Sequence, residues 1–230
     1  MTTQCPFKSY PMREELTEPP RLMHGLPVDK RGYPVPWFVE WINGEPEFRA
    51  MDMRKFRAAI RDRLCWTCGK PLFGEGVFVI GPMCAVNRIS SEPPSHRECA
   101  LYAAINCPFL SRPQARRRSD EQFNSAIKVA AGMMVERNPG VTLLWYCKRY
   151  EVMTSPARPG IANAGLLFQL GRAFKTEWYR EGRPATRAEV IEALESGLPK
   201  LRQVARDYDG PEGVLLIENQ ITNAMRLVPR

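Results

Sequence analysis

Hydrophobic and polar positions change pattern three times along the chain. Residues 1–36 hold no apolar period for long and are broken by Pro6, Pro11, Pro19, Pro20, Pro27, Pro34 and Pro36. That marks an extended arm lying on the body of the protein, or a partly disordered one, with an ordered turn from Arg31 to Trp37. The next stretch, 37–42, places Trp37, Val39 and Trp41 on one face at period two, the signature of a strand whose aromatic face is the core side of a sheet. Asn43-Gly44 tolerates positive φ and predicts a tight turn, with 45–49 returning as a hairpin. Asp52 is placed to cap a helix over 53–64. Its stripe is Phe56, Ala59, Ile60 and Leu64, and its other face carries Arg54, Lys55, Arg57, Arg61 and Arg63.

Farther on, Val77-Phe78-Val79-Ile80 reads as a strand, Gly81-Pro82 as a turn and 85–89 as a returning strand. Ser95-x-x-Glu98 forms a capping box for a helix through Ile105. Cys107-Pro108 stops it, and Arg116-Arg117-Arg118 is the best candidate linker. Ser119-x-x-Gln122 starts another helix, ended by Asn138-Pro139-Gly140. The run 141–147 is almost continuously apolar, a strand buried on both faces, which Arg149, Tyr150 and Val152 extend. A Pro/Gly loop over 154–164 precedes strands at 166–170 and 174–179, with Gly171-Arg172 as the turn. Thr186-x-x-Glu189 is a third capping box, opening a helix over 187–196. Gly197 and Pro199 interrupt it, a second piece covers 200–208, Asp209-Gly210-Pro211 breaks the chain, and a last amphipathic helix runs over 212–227.

The sum is an α+β chain: a Pro-rich arm (1–36), a hairpin, basic helix and cysteine-rich unit (37–115), and a C-terminal part (119–230) with a small antiparallel sheet and helices. The two parts are expected to pack together. No solenoid-period repeat is evident.

Composition changes this picture little. At 230 residues, 44% hydrophobic and 25% charged, the chain is of ordinary soluble type. No apolar run approaches the ~20 residues that span a bilayer, and the first thirty residues lack a secretory h-region, so the expected setting is cytoplasmic. The charge is more informative. The net value is +8, and half of it lies in residues 65–118, which hold seven basic and three acidic groups. A local excess of that kind suits a polyanion, DNA or RNA.

The chemistry concentrates between residues 65 and 107. Cys65-Trp66-Thr67-Cys68-Gly69 is a Cys-x-x-Cys pair followed by a turn-permitting glycine, and His96-Arg97-Glu98-Cys99 comes 27 residues later. Cys65, Cys68, His96 and Cys99 offer three sulfurs and one imidazole nitrogen, a soft set that suits a structural, tetrahedral zinc ion. His96 and Cys99 then fall on one face of the first turn of their helix. Cys84 sits at the predicted hairpin tip, away from the metal, and Cys5, Cys107 and Cys147 read singly as apolar residues. Knuckle, hairpin and a helix that starts with the second ligand pair: this order resembles the treble-clef zinc finger over roughly 65–107. Stretches such as 31–38, 78–88 and 181–187 resemble segments of uncharacterised bacterial and phage proteins, which implies that setting and no particular activity.

Catalysis finds little to work with. Some treble clefs are His-Asn-His nucleases, which need a histidine base on the hairpin. Here His96 is committed to metal, His24 lies in the arm, and Asn87 has no histidine beside it. Neither a Cys-His pair nor a Ser-His-Asp triad is available, and phosphate-loop and dinucleotide fingerprints are missing. The expectation is a non-catalytic protein that contacts nucleic acid through Arg57, Arg61, Lys70, Arg88, Arg97 and Arg116 to Arg118. The alternative is a zinc-stabilised protein–protein interaction module, such as a phage modulator of a host complex or an assembly factor.

Overall fold

The structure, a computed structural model, describes residues 10–112, 140–155 and 165–230. Arm residues 10–36 are tied down by a 3-10 turn at Arg21–Met23, by an isolated bridge between Val28 and Pro34, and by burial of Met23, Tyr33 and Val35. Asp29, buried, accepts from the backbone N–H of Arg31 and of Tyr33. The arm belongs to the body, because its few apolar side chains find partners there.

The first hairpin forms as expected. Strand β1 (Val39–Ile42) pairs antiparallel with β2 (Glu45–Met51), and Asn43 and Gly44 both take positive φ. Val39 is fully buried, in keeping with a core-facing side. Helix α1 (Met53–Arg61) starts at Asp52, whose carboxylate accepts from the N–H groups of Arg54 and Lys55. Phe56 and Ala59 of its apolar stripe are buried.

Next comes β3 (Gly76–Ile80), and here the chain departs from the predicted hairpin. Residues 85–89 do not return as a strand. Gly81 caps a short helix α2 (Pro82–Asn87), with Pro82 at its first position and Arg88 closing it in the left-handed region at φ 55°. Proline at a helix start and a left-handed residue at its end are ordinary helix punctuation. Only Ile89–Ser90 is extended, as β4. The partner of β3 lies far along the chain: it pairs with β5 (Thr142–Cys147), Val77 opposite Tyr146 and Ile80 opposite Leu143.

Helix α3 (Arg97–Asn106) follows, then a short α4 (Pro108–Ser111). The N-cap of α3 is His96, one residue later than the expected Ser95, and Ser95 Oγ instead lies 2.9 Å from Thr67 Oγ1. The expected helix after Ser119 and the Arg116 to Arg118 linker lie outside the described residues.

Strand β5 does not continue smoothly past Cys147. After a break at 148–149 the chain forms β6 (Tyr150–Ser155), which pairs with β7 (Gly165–Leu170), and after 171–172 it forms β8 (Ala173–Arg180), which pairs with β5. These four strands are one long antiparallel ribbon, bent where the chain crosses 148–149 and 171–172. Its first half lies in a sheet of order β3-β5-β8-β9, where β9 is Arg183–Pro184, and its second half in a sheet of order β4-β7-β6.

Side chains alternate across the larger sheet. Val77, Leu144 and Tyr146 pack with Ala100 and Ala104 of α3 on one face. Phe78, Ile80, Leu143, Trp145, Cys147 and Trp178 pack on the other, in the main core. Both faces are covered, which is why 141–147 is almost continuously apolar, Thr142 being the buried exception.

The last element, α5 (Arg187–Met225), opens with the predicted capping box of Thr186 and Glu189. Gly197 and Pro199 do not interrupt it. Gly197 packs so closely on Met83 that a Cβ there would lie 2.6 Å from the thioether sulfur. Pro199 and the residue four before it, Glu195, are both exposed, so the helical bond that proline removes is lost on the solvent side of the helix, not in the core. The break comes at Gly210, with φ 65° and ψ −154°, as the Asp-Gly-Pro signal predicts. Among the described residues no helix is long and apolar enough to cross a membrane.

Candidate metal centre

The segment 65–72 folds back on itself. The N–H of Cys65 donates to the Lys70 carbonyl and the N–H of Gly69 to the Cys65 carbonyl, both at 2.8 Å. Gly69 has φ +74°, and a Cβ there would lie 2.6 Å from the Trp37 indole, so glycine serves the turn and the close approach together. The knuckle is stitched to the residues ahead of α3 at neighbouring points. Trp66 N–H donates to the Pro94 carbonyl (3.1 Å), the hydroxyls of Thr67 and Ser95 meet, and Ser95 is bridged to Val77 of β3 in both directions. These links bring the two cysteine-containing pairs together.

Cys65, Cys68, His96 and Cys99 present ligand atoms that all lie within 4.8 Å of one another. His96 Nδ1 is 3.4 Å from Cys68 Sγ and 4.0 Å from Cys99 Sγ. Tetrahedral zinc with ordinary Zn–S and Zn–N bonds needs ligand-to-ligand separations of about 3.5–3.8 Å, so small shifts suffice to seat an ion. The other ring nitrogen, Nε2, lies 2.9 Å from the Pro71 carbonyl. Donation there leaves Nδ1 unprotonated and turned to the sulfurs, the outer-shell arrangement that orients a histidine ligand. Cys65 Sγ accepts from the N–H of Cys68 (3.5 Å) and of His96 (3.3 Å).

The electrostatics point the same way. Burial opposes ionisation of Cys65, but hydrogen bonds from Cys68, Cys99 and His96 outweigh it and lower its pKa. The same contact with Cys65 raises Cys68 to about 11, and Cys65 and Cys68 together raise Cys99. Unaided, the cluster favours one thiolate among three sulfurs. A divalent cation at their centre removes that conflict by stabilising all three as thiolates.

The shell is apolar. Met23, Leu72 and Tyr102 are buried around the sulfurs, with Leu22 and Leu26 packed against them. Sequence reasoning missed this part, because an arm broken by prolines carries no periodicity to show that Leu22, Met23 and Leu26 cover the site. Of the other cysteines, Cys84 is exposed on α2 rather than at a hairpin tip, Cys107 caps the end of α3, and Cys147 is buried in β5, where burial raises its thiol to about 11.

The described basic candidates are all exposed, and apart from Arg57 and Arg61 they lie on separate elements. Arg57 is on α1. Arg61, also on α1, is paired with Asp62 at 2.5 Å. Lys70 is on the knuckle, its Nζ 3.4 Å from the Arg21 carbonyl. Arg88 donates to the Leu170 carbonyl at 2.8 Å, its guanidinium 5.9 Å from the centre of the Trp145 ring. Arg97 opens α3. The chain matches no known protein-family model, no curated protein and no solved structure.

Proposed function

We propose that this chain is a zinc-binding, non-catalytic protein that contacts nucleic acid. The observation that carries the reading is the Cys65, Cys68, His96 and Cys99 cluster. A soft donor set of three thiolates and one imidazole selects zinc over hard cations, and four protein ligands leave no open position for substrate, the mark of a structural site. The order of knuckle and ligand-bearing helix resembles a treble clef in its ligand plan, with β3, α2 and β4 in place of the hairpin. The basic face of α1 runs directly into the knuckle, so zinc fixes Arg57, Arg61 and Lys70 relative to one another, as phosphate contacts require. The bacterial or phage setting rests on the sequence resemblance alone.

Metal content and nucleic acid carry-over, measured on one purified sample, test the reading. One zinc per chain with nucleic acid removable by salt supports it. Zinc without nucleic acid favours a protein–protein interaction module. That second reading has its own support in Phe73, 86% exposed just after the knuckle, and in Leu215 and Leu216, 68% and 60% exposed on α5. Absence of zinc overturns both.

A further inference from the structure

The bend in the long ribbon combines positive charge with an exposed ring. Lys148 and Arg149 lie where β5 gives way to β6, and Arg172 where β7 gives way to β8. With Ala173 and Phe174 they line a single concavity of about 480 Å³. All three cations are exposed, and among the described residues none forms a salt bridge, whereas Arg54, Arg61, Arg180, Arg183 and Arg202 are each held by a carboxylate. Among the described residues no acidic side chain lines the concavity.

The backbone beneath is fixed. Gly171 N–H donates to the Arg149 carbonyl at 3.0 Å, Trp145 Nε1 donates to the Gly171 carbonyl at 3.0 Å, and Leu170 N–H donates to the Arg88 carbonyl at 2.8 Å. A Cβ on Gly171 would lie 2.2 Å from the Arg149 carbonyl oxygen, so the strands cross at a separation only glycine allows. The pairing slips between Tyr146 and Cys147, a bulge of the kind that re-aims side chains. Phe174 is 52% exposed, and the edge-on contact of its ring with Tyr146 (6.1 Å, 64°) leaves it open to a flat partner.

We propose that this bend binds single-stranded nucleic acid, with backbone phosphates against Lys148, Arg149 and Arg172 and a base stacked on Phe174. Cations that follow a backbone and an aromatic ring that takes any base are the two elements of sequence-tolerant single-strand binding. An acidic peptide would use the cations and leave the ring without a function. The inference rests on the proposed function and adds a contact that the charge pattern of residues 65–118 did not indicate.

The test is fluorescence anisotropy with labelled oligo-dT and oligo-rU of about 12 nucleotides, a length within the usual single-strand site size, titrated over a range of NaCl with the full zinc-loaded chain. Replacing Lys148, Arg149 and Arg172 together by Gln is expected to weaken binding at least tenfold. It should also flatten the log–log salt dependence by about 2, the value for three phosphate contacts on a single strand. Phe174→Ala is expected to cost about tenfold, with Phe174→Tyr restoring it. All replaced side chains are exposed, so an unchanged melting temperature certifies the fold. If the triple variant binds within twofold of the parent with the same salt slope, the bend is not the site, while the proposed function stands through other residues. If a blunt duplex or an oligo-glutamate peptide competes as well as the single strand, the stacking assignment falls. If the parent binds neither oligonucleotide but binds the duplex, this inference falls and the proposed function stands; if it binds none of the three, the nucleic acid part of the proposed function falls as well.

Discussion

Replacing Cys99 by Ser tests the centre most directly. Cys99 is fully buried and faces His96 Nδ1 within the cluster. The apolar core of this region is small, with Met23, Leu72 and Tyr102 the buried non-ligand side chains around the sulfurs. At about 1.5–3 kcal/mol each, their burial contributes about 5–9 kcal/mol. Fixing the backbone of the eight residues 65–72 costs about 8–16 kcal/mol. The difference runs from near zero to a shortfall of about 11 kcal/mol, which the ~10–16 kcal/mol of a structural zinc covers, so the knuckle is expected to hold with metal and to be marginal without it. Cys99→Ser is therefore expected to carry well under one zinc per chain. Amide exchange should become fast over 65–72 and over 20–26 of the arm, while β5 and β8 stay protected in the main core. A chelator should bring the parent to the same state, and Cys84→Ser, at an exposed position, should leave metal content unchanged. A Cys99→Ser protein with one zinc per chain and parental exchange at 65–72 would refute both the ligand set and the energetics.

Other perturbations separate the parts. Gly69→Ala places a side chain at φ +74° and against the Trp37 ring. Left-handed strain of about 1–2 kcal/mol and overpacking of about 1–3 predict a loss of about 2–5 kcal/mol with weaker zinc retention, read by a zinc-competition dye and thermal melting. Phe168 is fully buried against the rings of Phe56, Phe78 and Tyr150, so Phe168→Ala should cost about 3–5 kcal/mol in urea while zinc stays stoichiometric. Glu189, paired with Arg183 at 2.6 Å and bonded to the Thr186 N–H, has its pKa lowered from 4.5 to about 2. The ionised form is the one the fold favours, so its contribution is complete above pH 4.5 and disappears as pH falls toward 2. Glu189→Gln should lower stability at pH 7 and flatten the pH dependence over that window, measured by urea melts.

Signals confined to a few residues were legible in the sequence. Asn43-Gly44, the Asp52 cap, the Thr186–Glu189 box and the Gly210 break all appear where local chemistry puts them. The two cysteine-containing pairs were equally clear, because metal-ligand spacing is itself local. What failed depended on distant partners. Residues 85–89 carry Val86 and Ile89 and read as a strand, but the edge of β3 they would have occupied is taken by β5, more than sixty residues on in the sequence. Gly197 reads as a breaker until Met83, on α2, is seen to need the space. The ribbon bend at 148–149 looked like continuous strand because alternation alone does not reveal where a strand changes sheets.

The misplaced cap of α3 shows why metal site and helix cannot be read separately. Ser95-x-x-Glu98 is a well-formed capping signal, yet the Ser95 hydroxyl is turned to Thr67 and the N-cap, His96, makes no side-chain capping bond. The His96 N–H points at Cys65 Sγ, and Cys99 occupies the third helical position. With a dication bound, three thiolates would leave one net negative charge at the positive end of α3. Anions there are stabilising by about 0.3–1 kcal/mol at exposed sites and up to ~2 in partly buried ones. The cluster thus does for α3 what a serine does elsewhere, and the displaced serine is free to fasten the knuckle to the chain ahead of the helix. Ser95→Ala should accordingly leave the helix intact and loosen the Thr67 contact. Amide exchange that rises at 66–68 but not at 99–103 would bear this out, and the reverse pattern would restore Ser95 as the cap.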